Sequence, residues 1–213
     1  YYTGASRAKV LGYQSAAMGL GILILETGGG SLAEISWREP FLIYLVGFVI
    51  LAGVLLFIHE PSREPRQARH DGTVKLNMGA LLPIYASIFV GMAIAFLLPT
   101  ELPYLVSEVG TASTTGTGLL LGLMGCCSAL AGLFYGRLAA RMPRMQAMCL
   151  CFFLMGLGCC LLGFAASVTA IAASVIFVGL GQGALISTIV SWISNKAPAQ
   201  AMGKATGIFS VAL

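Results

Sequence analysis

The sequence predicts an all-α fold, a multi-pass transmembrane helix bundle, and three observations predict it. Only 9% of the 213 residues are charged and 58% are hydrophobic, whereas a soluble domain carries roughly 25% charged residues. The apolar residues fall in runs of membrane-crossing length. The basic residues fall between those runs, on alternate connections. So few charges cannot cover a soluble surface, and the mean hydropathy is +0.90.

A helix needs about 20 mainly apolar residues to cross a ~30 Å hydrocarbon core. Six complete candidates meet that need: 10–32, 40–58, 81–105, 117–135, 147–165 and 168–193. A seventh begins near Ala205 and stops at Leu213. Periodicity inside the runs is weak, as expected of helices that meet lipid and other helices. Barrel strands would be shorter and would alternate in polarity. The start at Tyr1 has no charged n-region followed by a short apolar stretch, so it does not read as a signal peptide. The expectation is an internal segment of a longer membrane protein.

Crossing at each helix puts alternate loops on one side. Arg7 and Lys9 precede the first helix. Arg63, Arg66, Arg69 and Lys75 lie between the second and third, and Arg137, Arg141 and Arg144 between the fourth and fifth. Lys196 and Lys204 lie between the sixth and seventh. Only Arg38, of the 12 Lys and Arg, falls on the other side. The positive-inside rule makes the basic side cytoplasmic. The net charge of +4 then reflects topology. Nucleic-acid binding, which needs a clustered basic face, is not expected.

The long polar connector "HEPSREPRQARHDGTVK" carries Pro, Gly and mixed charges, which suits a flexible cytoplasmic linker over 59–76. It divides the chain into 1–58 and 77–213. An internal echo supports two halves: "KVLGYQSAA" from Lys9 and "KATGIFSVA" from Lys204 share Lys, Gly, Ser and Ala in register. Parallel repeats of six-helix units are one way to build transporters.

Several residues carry chemistry. Glu26, in "ILILETGGGSL", is a carboxylate in an apolar run, and an intramembrane carboxylate is a functional candidate by default. A rise of 1.5 Å per residue puts it in the outer part of the first span. Desolvation favours its neutral form, so it can take up and release a proton. Gly28, Gly29 and Gly30 follow it and read as a close contact with another helix. Gly118, Gly122 and Gly125 give the fourth segment a comparable small face. Glu101 lies between Pro99 and Pro103, where a broken helix is expected near the outer side, with the carboxylate at a wet entrance or a solvated helix end. Tyr85, Phe89, Met92 and Phe96 form one stripe at helical spacing, suited to lipid, to packed helices, or to flat, greasy, cationic ligands. Gln182 in "GLGQGALIS" is the clearest uncharged polar candidate for a cavity. Ser187, Ser191 and Ser194 fit a helix seam equally well. Arg137 and Arg141 share a helix face and serve as topology anchors or as a closure of the cytoplasmic side.

Other features point away from enzymes. Cys126, Cys127, Cys149, Cys151, Cys159 and Cys160 all sit in apolar runs and read as small packing residues. His59 and His70 lie in the polar linker. No metal site, cofactor, phosphate loop or catalytic constellation is expected. Coupling to an ion gradient remains as the energy source.

These residues bring a family within reach. "GGSL" at 29–32 and "WREPF" at 37–41 resemble the fifth helix and following loop of the major facilitator superfamily, most of all its proton-coupled drug exporters. Gly21, Gly29 and Gly30 match the motif G-x-x-x-G-P-x-x-G-G, with Leu25 and Glu26 in place of Gly-Pro. "PTELPYL" at 99–105 resembles the outer end of helix seven. "GLFYGRLAARMPR" at 132–144 resembles the second cytoplasmic motif: Gly132, Arg137 and Arg141 match, and Gly136 stands where Asp is frequent. The resemblance implies a partial major-facilitator fold, from helix five to the start of helix eleven. It implies that helices five and eight meet between the halves, where the glycines would slide or separate. It also implies that helix seven lines the central cavity. Glu26 then either couples transport to protons or, permanently protonated, donates to a hydroxyl of helix eight such as Thr115 or Thr117.

The expected activity is proton-coupled export of small amphipathic compounds by alternating access. The expected partners are a small-molecule substrate, protons, the lipid bilayer and the N-terminal helices of the same protein. The expected site is the plasma membrane. The alternatives are a metabolite exporter or uptake carrier, and a non-transporting scaffold or receptor, which would have a dry, apolar bundle.

Overall fold

The computed structural model describes residues 4–57, 78–110, 113–196 and 201–212. All regular structure in these residues is helical: α1 (Gly4–Ile35), a 3-10 helix (Glu39–Leu45), α2 (Val46–Phe57), α3 (Met78–Glu108), α4 (Thr114–Arg141), α5 (Arg144–Gly163), α6 (Val168–Lys196) and α7 (Met202–Ala212). Among the described residues, six helical stretches are long and apolar enough to cross a membrane. The linker at 59–76, with its basic residues and both histidines, lies outside the described residues, and so does Tyr1.

Local chemistry sets the helix ends. Arg38 and Pro40 open the 3-10 helix, Pro40 in its first turn, where a missing N–H costs nothing. The second span is therefore 3-10 at its start and α-helical only from Val46. Gly110 ends α3 with φ +86°, a left-handed stop that glycine adopts without strain. Ser113 caps α4, its Oγ accepting from Gly116 N at 3.0 Å. Met142 and Pro143 form the tight turn into α5.

The third span departs from expectation. α3 runs unbroken through Pro83, Pro99 and Pro103, so no break occurs beside Glu101. Thr100 Oγ1 donates within its own helix, to the carbonyls of Leu97 (2.8 Å) and Phe96 (3.2 Å), and packing on other helices holds α3 across the prolines. Leu98, Leu102 and Val106, one turn apart, are buried against Leu120, Ile171, Val175 and Val178.

α6 is the pier of the bundle, packed on α3, α4 and α5. A Cβ at Gly183 would overlap the Ser128 carbonyl of α4, and one at Gly181 would lie 2.7 Å from the Cys151 carbonyl of α5. Backbones this close give van der Waals contact, which replaces the hydrophobic drive absent between helices in lipid. A second core gathers Leu81, Ile84, Ile88, Met155, Leu185, Ile189 and Ala205. α1 joins this bundle through α4, and α2 has no buried residue.

Candidate functional site

The site begins with the contact of α1 on α4. α1 approaches α4 through its glycines. A Cβ at Gly118 would overlap the Glu26 carbonyl, and a Cβ at Gly30 would overlap the Thr114 carbonyl. Lower down, a Cβ at Gly122 would sit 3.1 Å from Leu23 Cα, and one at Gly125 2.9 Å from Ile22 Cβ. Gly19 closes the row against Ala129. The row is a seam, backbone on backbone at Gly118 and Gly30, and it brings in the side chains of Leu23, Ile22 and Ala129 further along.

Not every candidate glycine lies in it. Gly21, Gly28 and Gly136 have open space where a Cβ would stand, and Gly29 meets only Ile43 Cδ1 at 3.7 Å. The reason is rotation: Gly28 and Gly30 differ by about 200° around the helix, so one packs and the other points away. Gly132 lies on α4 and is half-buried.

A polar clasp closes one end of the seam. Glu34 Oε1 accepts from Ser113 Oγ at 2.7 Å and from Thr115 N at 3.2 Å. One turn below, Thr114 Oγ1 donates to the Gly30 carbonyl at 2.8 Å. Of the hydroxyls considered for Glu26, Thr117 Oγ1 donates to the Ser113 carbonyl at 3.2 Å, and Thr115 lies at Glu34, to which its backbone N–H donates. The carboxylate that reaches α4 is thus Glu34, two turns beyond Glu26. Sequence reasoning missed it because Glu34 sits at the polar end of an apolar run. The available signal was the Ser113–Gly116 capping pattern, which offers unpaired N–H groups to an anion.

Glu26 turns away from α4. Its side chain is exposed, and it lines a cleft of about 330 Å³ with Leu25, Gly29, Pro40, Phe41, Ile43 and Tyr44. α1 supplies the carboxylate, and the 3-10 helix supplies the aromatic and aliphatic wall. Glu26 is central in the apolar stretch Ala17–Ile35. Yet its carbonyl packs one turn inside the start of α4, so relative to its neighbour it is near one end. Glu101 is exposed on α3 and does not line this cleft.

The stripe on α3 is divided. Tyr85 and Met92 are 5% and 6% exposed, inside the core with Ile88 and Leu185. Tyr85 Oη donates to the Ala205 carbonyl of α7 at 3.0 Å. In this structure these two join α3 to α6 and α7. Phe89 and Phe96 are 64% and 62% exposed and remain available to a ligand or lipid. At about 100° per residue Phe89 and Phe96 fall to one side of Tyr85 and Met92, and the edge of the core runs between the two pairs. Gln182 is half-buried on α6, between Gly181 packed on α5 and Gly183 packed on α4.

At the opposite end of α4, Arg137 and Arg141 are exposed, and the Arg137 guanidinium lies 5.1 Å over the Phe134 ring of its own helix. All six cysteines are free. No cluster of His, Cys, Asp and Glu suited to a metal occurs among the described residues.

Multidrug resistance protein 1 of Bacillus subtilis (strain 168) is 36% identical over 110 residues, which is 51% of this chain and 25% of that protein. The aligned part thus spans about a quarter of the relative's length. No solved structure matches the chain significantly. The sequence profile of the Major Facilitator Superfamily matches residues 1–213. With its whole length matched and six apolar helices in an all-helical bundle, this multi-pass membrane chain belongs to the Major Facilitator Superfamily.

Proposed function

We propose that this chain works within a proton-coupled carrier that exports small amphipathic compounds by alternating access. The observation that carries the reading is the α1–α4 seam, where two helices touch backbone to backbone. A contact made of glycines interlocks few side chains, so it can part and reform without repacking. In this reading, residues 1–58 end one six-helix half and 77–213 begin the other, so the seam lies between halves. The linker at 59–76 is cytoplasmic, the membrane is the plasma membrane, and further N-terminal helices complete the cavity. The name of the Bacillus relative, a multidrug resistance protein, supports the substrate class.

Glu26 is the proton-coupling group of this proposal. Its carboxylate faces a cleft walled by Phe41, Ile43 and Tyr44, where water leaves when the bundle closes and returns when it opens. Phe89, Phe96 and Gln182 are the proposed substrate contacts, and Arg137 and Arg141 with Gly132 form the cytoplasmic hairpin that closes the other side.

The test is Glu26→Gln in the full-length carrier reconstituted in vesicles. The amide keeps the shape and removes the titration. Substrate binding is expected to persist while proton-driven transport is lost. Unchanged proton-driven transport eliminates Glu26 as the coupling group.

A further inference from the structure

We infer that Glu34 is a latch residue: its carboxylate holds the end of α1 on the start of α4 and sets how readily the seam opens during transport. This inference rests on the transporter reading above and adds a positioning residue to it.

Three consecutive residues at the start of α4 grip α1. Ser113 Oγ and Thr115 N both donate to Glu34 Oε1, at 2.7 and 3.2 Å, and Thr114 Oγ1 donates to the Gly30 carbonyl at 2.8 Å. The first N–H groups of a helix have no partner within it, and its N-terminus favours negative charge. Hydrogen bonds to a carboxylate are also stronger than neutral ones. The Ser113 hydroxyl is fully oriented, because it accepts from Gly116 N at 3.0 Å while donating to Glu34. A hydroxyl has one proton to give, and here it is committed across the seam.

The rest of the seam is apolar or backbone contact. Gly118 faces the Glu26 carbonyl, Gly122 faces Leu23 and Gly125 faces Ile22. Thr27 Oγ1, buried at this contact and 3.2 Å from where a Gly122 Cβ would stand, makes no hydrogen bond among the described residues. Directional holding is therefore concentrated at the Glu34 end, as a latch requires, with a low-friction seam behind it. Glu34 is exposed, so its bonds can exchange with water when the seam parts. A carrier keeps its states close in energy, so a modest bias at one contact shifts their populations several-fold.

The experiment uses the full-length carrier with its native cysteines replaced and Thr27→Cys as a reporter inside the seam. The rate of thiol alkylation by a membrane-impermeant maleimide reads the open fraction. Glu34→Leu, which keeps bulk and loses both acceptors, is expected to raise the rate at least about 5-fold, a typical size for a conformational coupling. Glu34→Gln, whose amide oxygen accepts from the same donors, is expected to restore most of the protection. Ser113→Ala should raise the rate alone, and should add little in the Glu34→Leu background because the two share one bond. Equal rates in the parent and Glu34→Leu overturn the latch, as does full additivity of Ser113→Ala. Transport by the parent protein is measured beside it: absence of transport overturns the carrier reading, whereas transport with unchanged labelling overturns only the latch.

Discussion

Gly118→Ala is the sharpest perturbation of the seam. The added Cβ would overlap the Glu26 carbonyl oxygen, approach its carbon at 3.0 Å and lie 3.3 Å from Gly30 Cα. All three atoms are backbone, so no side chain can turn aside. Relief requires α1 and α4 to separate by about 1 Å, since non-bonded carbons rest ~3.5–4.0 Å apart. Overpacking of this kind costs about 1–3 kcal/mol, or roughly a 5- to 150-fold change in the closed population. The neighbouring positions grade the effect. At Gly122 the clash combines Leu23 Cδ1 at 2.7 Å with Leu23 Cα at 3.1 Å, so the Leu23 rotamer relieves part of it. At Gly125 the clash is with the Ile22 side chain alone. Gly21 and Gly28 meet nothing, and alanine there is expected to stabilise the helix by up to about 1 kcal/mol. The assay is the thermal midpoint of the purified carrier in detergent, together with proton-driven efflux from vesicles. The expected order of damage is Gly118, Gly122, Gly125, then none at Gly28 and Gly21. If Gly118→Ala behaves as Gly28→Ala does, the seam is not a close contact and the argument from it collapses.

Other outcomes follow from the same structure. Tyr85→Phe removes the bond to the Ala205 carbonyl and is expected to cost about 1 kcal/mol, seen as a lower thermal midpoint; a changed substrate profile would return Tyr85 to the cavity. Glu101→Gln should leave the pH dependence of transport as it is, because Glu101 is exposed and apart from the Glu26 cleft; a shifted pH profile would make it a coupling residue. In a background without native thiols, an impermeant reagent added outside should label Ser36→Cys and spare Gln67→Cys, and the reverse pattern would invert the proposed topology.

The sequence by itself determined the helices and the family. Runs of about 20 apolar residues have one stable form in lipid, because every backbone group must be paired within the segment. Composition therefore suffices to find them, and six of the predicted spans correspond to helical segments of the structure. Ends were less legible. The fourth helix starts at Thr114 instead of 117, because Ser113 provides a cap that hydropathy does not register. The unbroken course of α3 was hidden for a related reason: proline argues locally for a break, and the packing of Leu98, Leu102 and Val106 on other helices argues against it.

Tertiary structure alone decided which side chains act together. Gly28, Gly29 and Gly30 are chemically identical, and only the rotation of α1 on α4 selects Gly30 for contact. Tyr85 and Phe96 share a stripe, and only the position of α6 and α7 buries one and leaves the other open. Glu26 and Glu34 stand two turns apart on one helix; the first turns to the cleft beside Tyr44, and the second reaches Ser113 across 79 residues of chain. Hydropathy reports how far a residue is from water along one helix. It carries no information about the angle at which a second helix arrives, and that angle is what makes one carboxylate a clasp and leaves the other facing a cleft.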